Sequence, residues 1–133
     1  MQTNLILWVI SVLSIASSTV VQMTNETHDL IQFARDIAII NRIDPEKFVK
    51  LINCESKFKI NALGDFSLEK KKYLATGILQ FHEPTFVKYS KIYDFGGEYK
   101  DPKDQMILAS WMIRDGLWRA WYNCGKINGY GAS

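Results

Sequence analysis

Two cysteines and two histidines are all that this chain of 133 residues carries, and no Cys-x-x-Cys pair or His/Cys cluster occurs among them. A structural zinc site needs four such ligands at close spacing, so the pattern argues against one. His28 and His82 stand too far apart to read as a nucleophile pair. The chain has no low-complexity linker and no internal repeat, which argues against tandem modules. The net charge is only +2 and no basic face stands out, which argues against a nucleic-acid partner. Such a mild positive balance would suit an anionic cell envelope. Charge is missing altogether from residues 1–25.

That uncharged stretch contains an apolar run from Leu5 to Ile15, followed by Ala16-Ser17-Ser18, small residues where a signal peptidase could cut. It reads as an export signal, although no Lys or Arg precedes the run. Continued to Val21 it is also close to the length of a short membrane anchor, and a buried first helix is the third option. Residues 1–23 are therefore assigned to a signal peptide or N-terminal membrane anchor, and residues 24–133 to one domain. The apolar fraction of 47% and aromatic fraction of 13% suffice for a true core. In an exported protein Cys54 and Cys124 are candidates for one disulfide, the alternative being two free, buried thiols. A bridge closing a loop of that size is worth about 4 kcal/mol in the chain-entropy account.

The coarse pattern is mainly helical. A polar joint is expected at Thr24 to Thr27, then a helix from His28 to Asn41 with a stripe of Leu30, Ile31, Phe33, Ala34, Ile37, Ala38 and Ile40. Asp44 as N-cap and Pro45 as first residue open a second helix, which Phe48, Leu51 and Ile52 carry to Glu55. Lys57 to Leu74 reads as a polar, irregular lobe with a turn at Gly64. Lys70-Lys71-Lys72 reads as a solvated loop or hairpin tip, with contact to an anionic glycan or teichoic acid as the functional alternative. Ile78 to Phe81 suits a short strand or extended turn. Pro84 opens a helix to about Tyr93, and Gly96-Gly97 breaks the chain. Asp101-Pro102 opens the next helix, with Asp104 as a possible capping-box partner and Gly116 as its C-cap. Leu117 to Cys124 is expected to be a last short helix.

Glu55 lies in Cys54-Glu55-Ser56 at a helix end, and Ala75-Thr76-Gly77-Ile78-Leu79-Gln80-Phe81 follows about twenty residues later. A positioned acid followed by a tight Gly turn into Leu-Gln suits a cleft that cleaves sugar chains. Four blocks then occur in order. They are Ile43-Asp44-Pro45 through Leu51-Ile52; Glu55-Ser56 with Phe58 and Ala62; Gly77-Ile78-Leu79-Gln80 with Pro84-Thr85; and Tyr122-Asn123-Cys124-Gly125. Together, over roughly residues 40 to 126, they resemble the catalytic domain of soluble lytic transglycosylases in the lysozyme-like superfamily. Thr76 departs from the Ser or Ala commoner before that Gly, and the stretch from Ala62 to Ala75 is longer than in the compact form. Trp121-Tyr122-Asn123-Cys124 equally fits the Trp-x-x-Cys ending of cysteine-paired relatives, so the role of Tyr122 stays open between the two.

The resemblance implies a mainly α, lysozyme-like fold with a small irregular or β lobe beside the active-site cleft. It implies cleavage of the β-1,4 bond between N-acetylmuramic acid and N-acetylglucosamine in peptidoglycan, with no metal needed; together with the N-terminal stretch, the expectation is an exported monomer without a cofactor. Glu55 would be the catalytic acid and then the base. Ser56 and Gln80 would line the site, and Tyr122 would donate a hydrogen bond to Glu55 or substrate.

A free Glu is protonated in only about one molecule in 500 at pH 7. Apolar neighbours and the helix C-terminal dipole are the expected means of raising that share. Asp65 is the nearby candidate for the second carboxylate a hydrolase would use, but Gly64-Asp65 reads better as a turn. The expected outcome is therefore a 1,6-anhydro product rather than hydrolysis. A muramidase and a non-catalytic glycan-binding module are the alternatives. Gln80 could bond an acetamido group or be a satisfied buried amide. Trp111, Trp118 and Trp121 read as core before sugar platform. His82 is given no chemistry; it would cap a helix or lie at the cleft rim.

Overall fold

Asp44 and Pro45 do start a helix. The Asp44 carboxylate accepts from the Lys47 amide at 3.0 Å, and Pro45 occupies the first turn, where no amide hydrogen is needed. The computed structural model describes residues 24–132. The expected export signal or anchor in residues 1–23 lies outside them.

Within the described residues α1 covers 24–40. Thr24 to Thr27 are helical rather than a polar joint, because neither Gly nor Pro interrupts the chain there. Ala34 and Ala38 are fully buried, and Leu30, Ile31, Phe33 and Ile37 pack beside them. Ile40, expected in the same stripe, is exposed; at 3.6 residues per turn it points about 120° away from Ala34. The helix stops where Arg42 takes a left-handed φ of 60°, with the Ile43 amide bonding back to the Ala38 carbonyl.

Helix α2 is Pro45–Ser56, with Phe48, Leu51 and Ile52 fully buried. Lys57 and Phe58, both at positive φ, turn the chain out of it. Of the two options for the next stretch, an irregular or a β lobe, the β one holds: β1 (Leu63–Ser67) and β2 (Lys72–Thr76) form a hairpin, with β3 (Phe81–His82) on the other side of β2. The pairs are antiparallel: Gly64 faces Ala75, Phe66 faces Tyr73, and Ala75 also faces His82. Lys70 and Lys71 form the hairpin tip and Lys72 begins β2.

Helix α3 is Glu83–Ile92 and α4 is Pro102–Arg114. Gln105, Met106, Leu108, Ala109, Ser110 and Met112 are all fully buried, so α4 is the central helix. Asp101 caps it, but Asp104 is not the box partner: its carboxylate accepts from the Glu98 amide at 2.8 Å, holding the preceding loop. Gly116, at φ 84, follows the Asp115 cap, and the Leu117 amide reaches back to the Met112 carbonyl. The expected last helix is two pieces, a 3-10 turn at Trp118–Trp121 and α5 at Tyr122–Ile127. Trp121 leaves helical geometry at their junction (φ −117°, ψ 50°), and its buried indole donates to the Leu79 carbonyl at 2.7 Å. Cys54 in α2 and Cys124 in α5 form a disulfide across 70 residues of sequence. The result is a mainly helical domain with a small three-stranded sheet on one side of α2. Among the described residues no helix is long and apolar enough to cross a membrane.

Candidate active site

A cleft of about 390 Å³ opens where the end of α2, the sheet and the start of α5 meet. Glu55, Asp65, Gln80, His82, Thr85 and Tyr122 all line it. Glu55 arrives there because it continues, at the last turn of α2, the face that buries Phe48, Leu51 and Ile52, and because the Cys54–Cys124 bridge fixes its neighbour. Its carboxyl is half-buried, and its pKa is raised to about 7. Burial is the larger cause, since losing water disfavours the charged form; the negative charge of Asp65 is the second. Burial is the cause anticipated from the sequence, and the Asp65 charge is not.

The turn from Gly77 to Gln80 is clamped by side chains from three helices. Gln105 accepts from the Leu79 amide at 2.9 Å and donates to the Thr76 and Tyr99 carbonyls at 3.0 and 2.7 Å. Ser56 Oγ donates to the Ile78 carbonyl at 2.7 Å, and Trp121 holds the Leu79 carbonyl. Gly77, at φ 87, is required here for a second reason: a Cβ would lie 2.5 Å from Gln105 Nε2. Gln105 thus ties the turn, at Leu79 and Thr76, to the Tyr99 loop, and Gln80 is fixed at the cleft wall with the turn.

No protein-family model, curated protein or solved structure matches this chain.

Gln80 reaches the cleft, at a left-handed φ of 52°. Its amide protons are used internally, on the Ala62 and Gly77 carbonyls at 3.0 and 2.8 Å. That leaves Oε1, an acceptor, for an incoming N–H or O–H. Gly64 makes room for it, because a Cβ there would stand 2.2 Å from that oxygen. Ser56 does not line the cleft. It is buried, one residue and about 100° around the helix from Glu55, and its hydroxyl serves the turn. Tyr122 lines the cleft and is half-exposed; its ring stacks on Trp118 with centroids 6.0 Å apart. Trp121 is core and Trp118 is partly buried beside it.

Two more residues line the cleft: Asp65, expected as a turn residue or as a second carboxylate, and His82, which was given no chemistry from the sequence. Asp65 is not a turn residue between elements but lies within β1, with φ 51°, and its Oδ2 is 2.7 Å from His82 Nε2. His82 is the N-cap residue of α3 but caps nothing with its ring, which points to Asp65 and the cleft. The sheet brings them together: Gly64, next to Asp65, and His82 both pair with Ala75 from opposite sides. The sequence signal for this would have been the hairpin itself. Its strands lack the strict alternation of buried and exposed residues that marks a strand in sequence.

The arrangement provides a carboxyl group that is about half protonated near pH 7, a hydrogen-bonded Asp65–His82 pair, a fixed amide acceptor and an aromatic side chain in the wall. Such a set can protonate a leaving oxygen and receive or place a hydroxyl on the other side.

Proposed function

We propose that this protein is a peptidoglycan lytic transglycosylase that cleaves the β-1,4 bond between N-acetylmuramic acid and N-acetylglucosamine. The observation that carries the proposal is Glu55, a half-buried acid in an open cleft, with its pKa raised to about 7. Near neutral pH about half of the molecules then hold the proton, against about one in 500 for a free Glu. Protonated Glu55 gives its proton to the glycosidic oxygen as the bond to the anomeric carbon breaks. The resulting carboxylate takes the proton of the muramic C6 hydroxyl, whose oxygen closes on the anomeric carbon as a 1,6-anhydro ring. Gln80 Oε1 would accept from an acetamido N–H, and Tyr122 would flank the sugar. A lysozyme-like fold fits this reading, in that an acid-bearing helix end faces a small sheet across a cleft. Export to the periplasm, envelope or exterior is consistent with the disulfide, which persists in oxidising compartments.

Asp65 favours a second reading, a muramidase. With a second carboxylate in the cleft, oriented by His82, water can be placed on the anomeric carbon instead of the C6 hydroxyl. Mass spectrometry of fragments released from peptidoglycan separates the two. Anhydromuropeptides from the unsubstituted protein and none from Glu55→Gln are the expected result. Reducing-end products that disappear in Asp65→Asn would transfer the assignment to the hydrolase. Binding without any release, unchanged in Glu55→Gln, would make the protein a non-catalytic glycan-binding module.

A further inference from the structure

A second concavity, about 580 Å³ and larger than the cleft, lies between β2, the start of α3 and the loop before α4. His82 belongs to the wall of both, so the groove adjoins the cleft at that side chain. Lys70, Lys72 and Lys100 line it, all exposed, and none of them makes an ion pair among the described residues. Glu83 is the one acidic residue in the lining, so the groove is positive. Its apolar part is Leu74, Pro84 and Val87. Tyr99 is fixed there by its hydroxyl, which donates to the Phe81 carbonyl at 2.6 Å.

We propose that this groove binds the peptide stem carried by the muramic acid next to the scissile bond, with the three lysines taking its carboxylates. This rests on the reading of the cleft as a peptidoglycan site and names what lies beside it. A strand without stems would offer three ammonium groups only the single lactyl carboxylate of that muramic acid and no alkyl side chains. A phosphate polymer would supply charge but no alkyl groups to cover Leu74, Pro84 and Val87. A short peptide of carboxylate-bearing and alanine-type residues supplies both. Ion pairs this exposed are individually weak, so their joint effect is about tenfold in affinity, and salt screens it.

The test uses Glu55→Gln protein, so that nothing is cleaved, and fluorescence anisotropy with two labelled probes. One is a short glycan fragment bearing its peptide stems; the other is the same fragment after an amidase has removed them. About tenfold tighter binding of the stem-bearing probe is expected at low salt, with most of that preference lost at high salt and in Lys70→Gln/Lys72→Gln/Lys100→Gln. The variant's circular dichroism checks its fold, and the salt series on protein with all lysines present tests the idea independently of it. Equal affinity for the two probes, or a preference that survives both treatments, would overturn the stem site and leave the cleft reading standing. Binding of neither probe would overturn both. A sugar-free teichoic-type phosphate polymer that competes as well as the stem-bearing fragment would reassign the groove to phosphate.

Discussion

Glu55 is held in a state that costs the fold stability. Its pKa is about 7 in the folded chain and near 4.5 when unfolded. Below pH 4.5 both states are protonated, and the group contributes nothing against folding. Between 4.5 and 7 the unfolded chain releases the proton while the folded one keeps it, so stability falls as pH rises, by on the order of 1–2 kcal/mol once solvent screening of this half-buried group is allowed for. Above 7 the penalty is complete. Glu55→Gln removes the titration. Its melting temperature is expected to match the unsubstituted protein at pH 4 and exceed it by on the order of 5 °C at pH 8. An offset that does not change with pH would mean that burial does not control this group. The position of Glu55 was legible in sequence, because a capped helix of fixed phase leads to it. Ser56 was not, since a hydroxyl beside an acid looks the same in sequence whether it faces substrate or a carbonyl.

Helix α4 and the Gly77 turn form the element on which the site depends. Gln105 is fully buried yet has three partners, so the turn is built around a polar side chain rather than around apolar packing. Gly77→Ala would meet that amide and strain a left-handed backbone. A loss of about 2–4 kcal/mol is expected by denaturant titration, accompanied by loss of cleavage because Gln80 moves with the turn. Unchanged stability would show that the turn can shift without Gln105. The Gly77–Gln80 turn could be named from its Gly, but its three clamps come from residues 21 or more positions away, Ser56, Gln105 and Trp121. The β lobe and a hairpin tip at the three lysines were expected only as alternatives to irregular chain, for the opposite reason: the strands are short, half-exposed and poorly alternating, so pairing rather than propensity defines them.

The disulfide ties the whole domain together, because Cys54 precedes Glu55 and Cys124 lines the cleft. It joins the second helix to the last, closing most of the described chain into a loop. Cys54→Ser/Cys124→Ser is expected to lose about 4 kcal/mol, read as a drop in the denaturant midpoint. Cleavage should fall at temperatures where the variant is still folded, since the wall bearing Tyr122 is then no longer held to α2. A variant of unchanged stability would mean that packing of Trp121 alone fixes that wall.

The sequence by itself determined most of the helices, the Asp44 and Asp101 caps and the place of Glu55 at a helix end, because Asp-Pro starts, apolar spacing and a Gly stop are local features of the chain. It also named Cys54 and Cys124 as a candidate pair, leaving free thiols as the alternative. Only the tertiary structure decided what surrounds the acid. Asp65 and His82 meet through strand pairing, Ser56 turns inward, and Gln80 is left with an acceptor because its donors are used by Ala62 and Gly77. A raised pKa depends on burial and on charges brought close from elsewhere in the chain, and neither is a property of the residues on either side of Glu55.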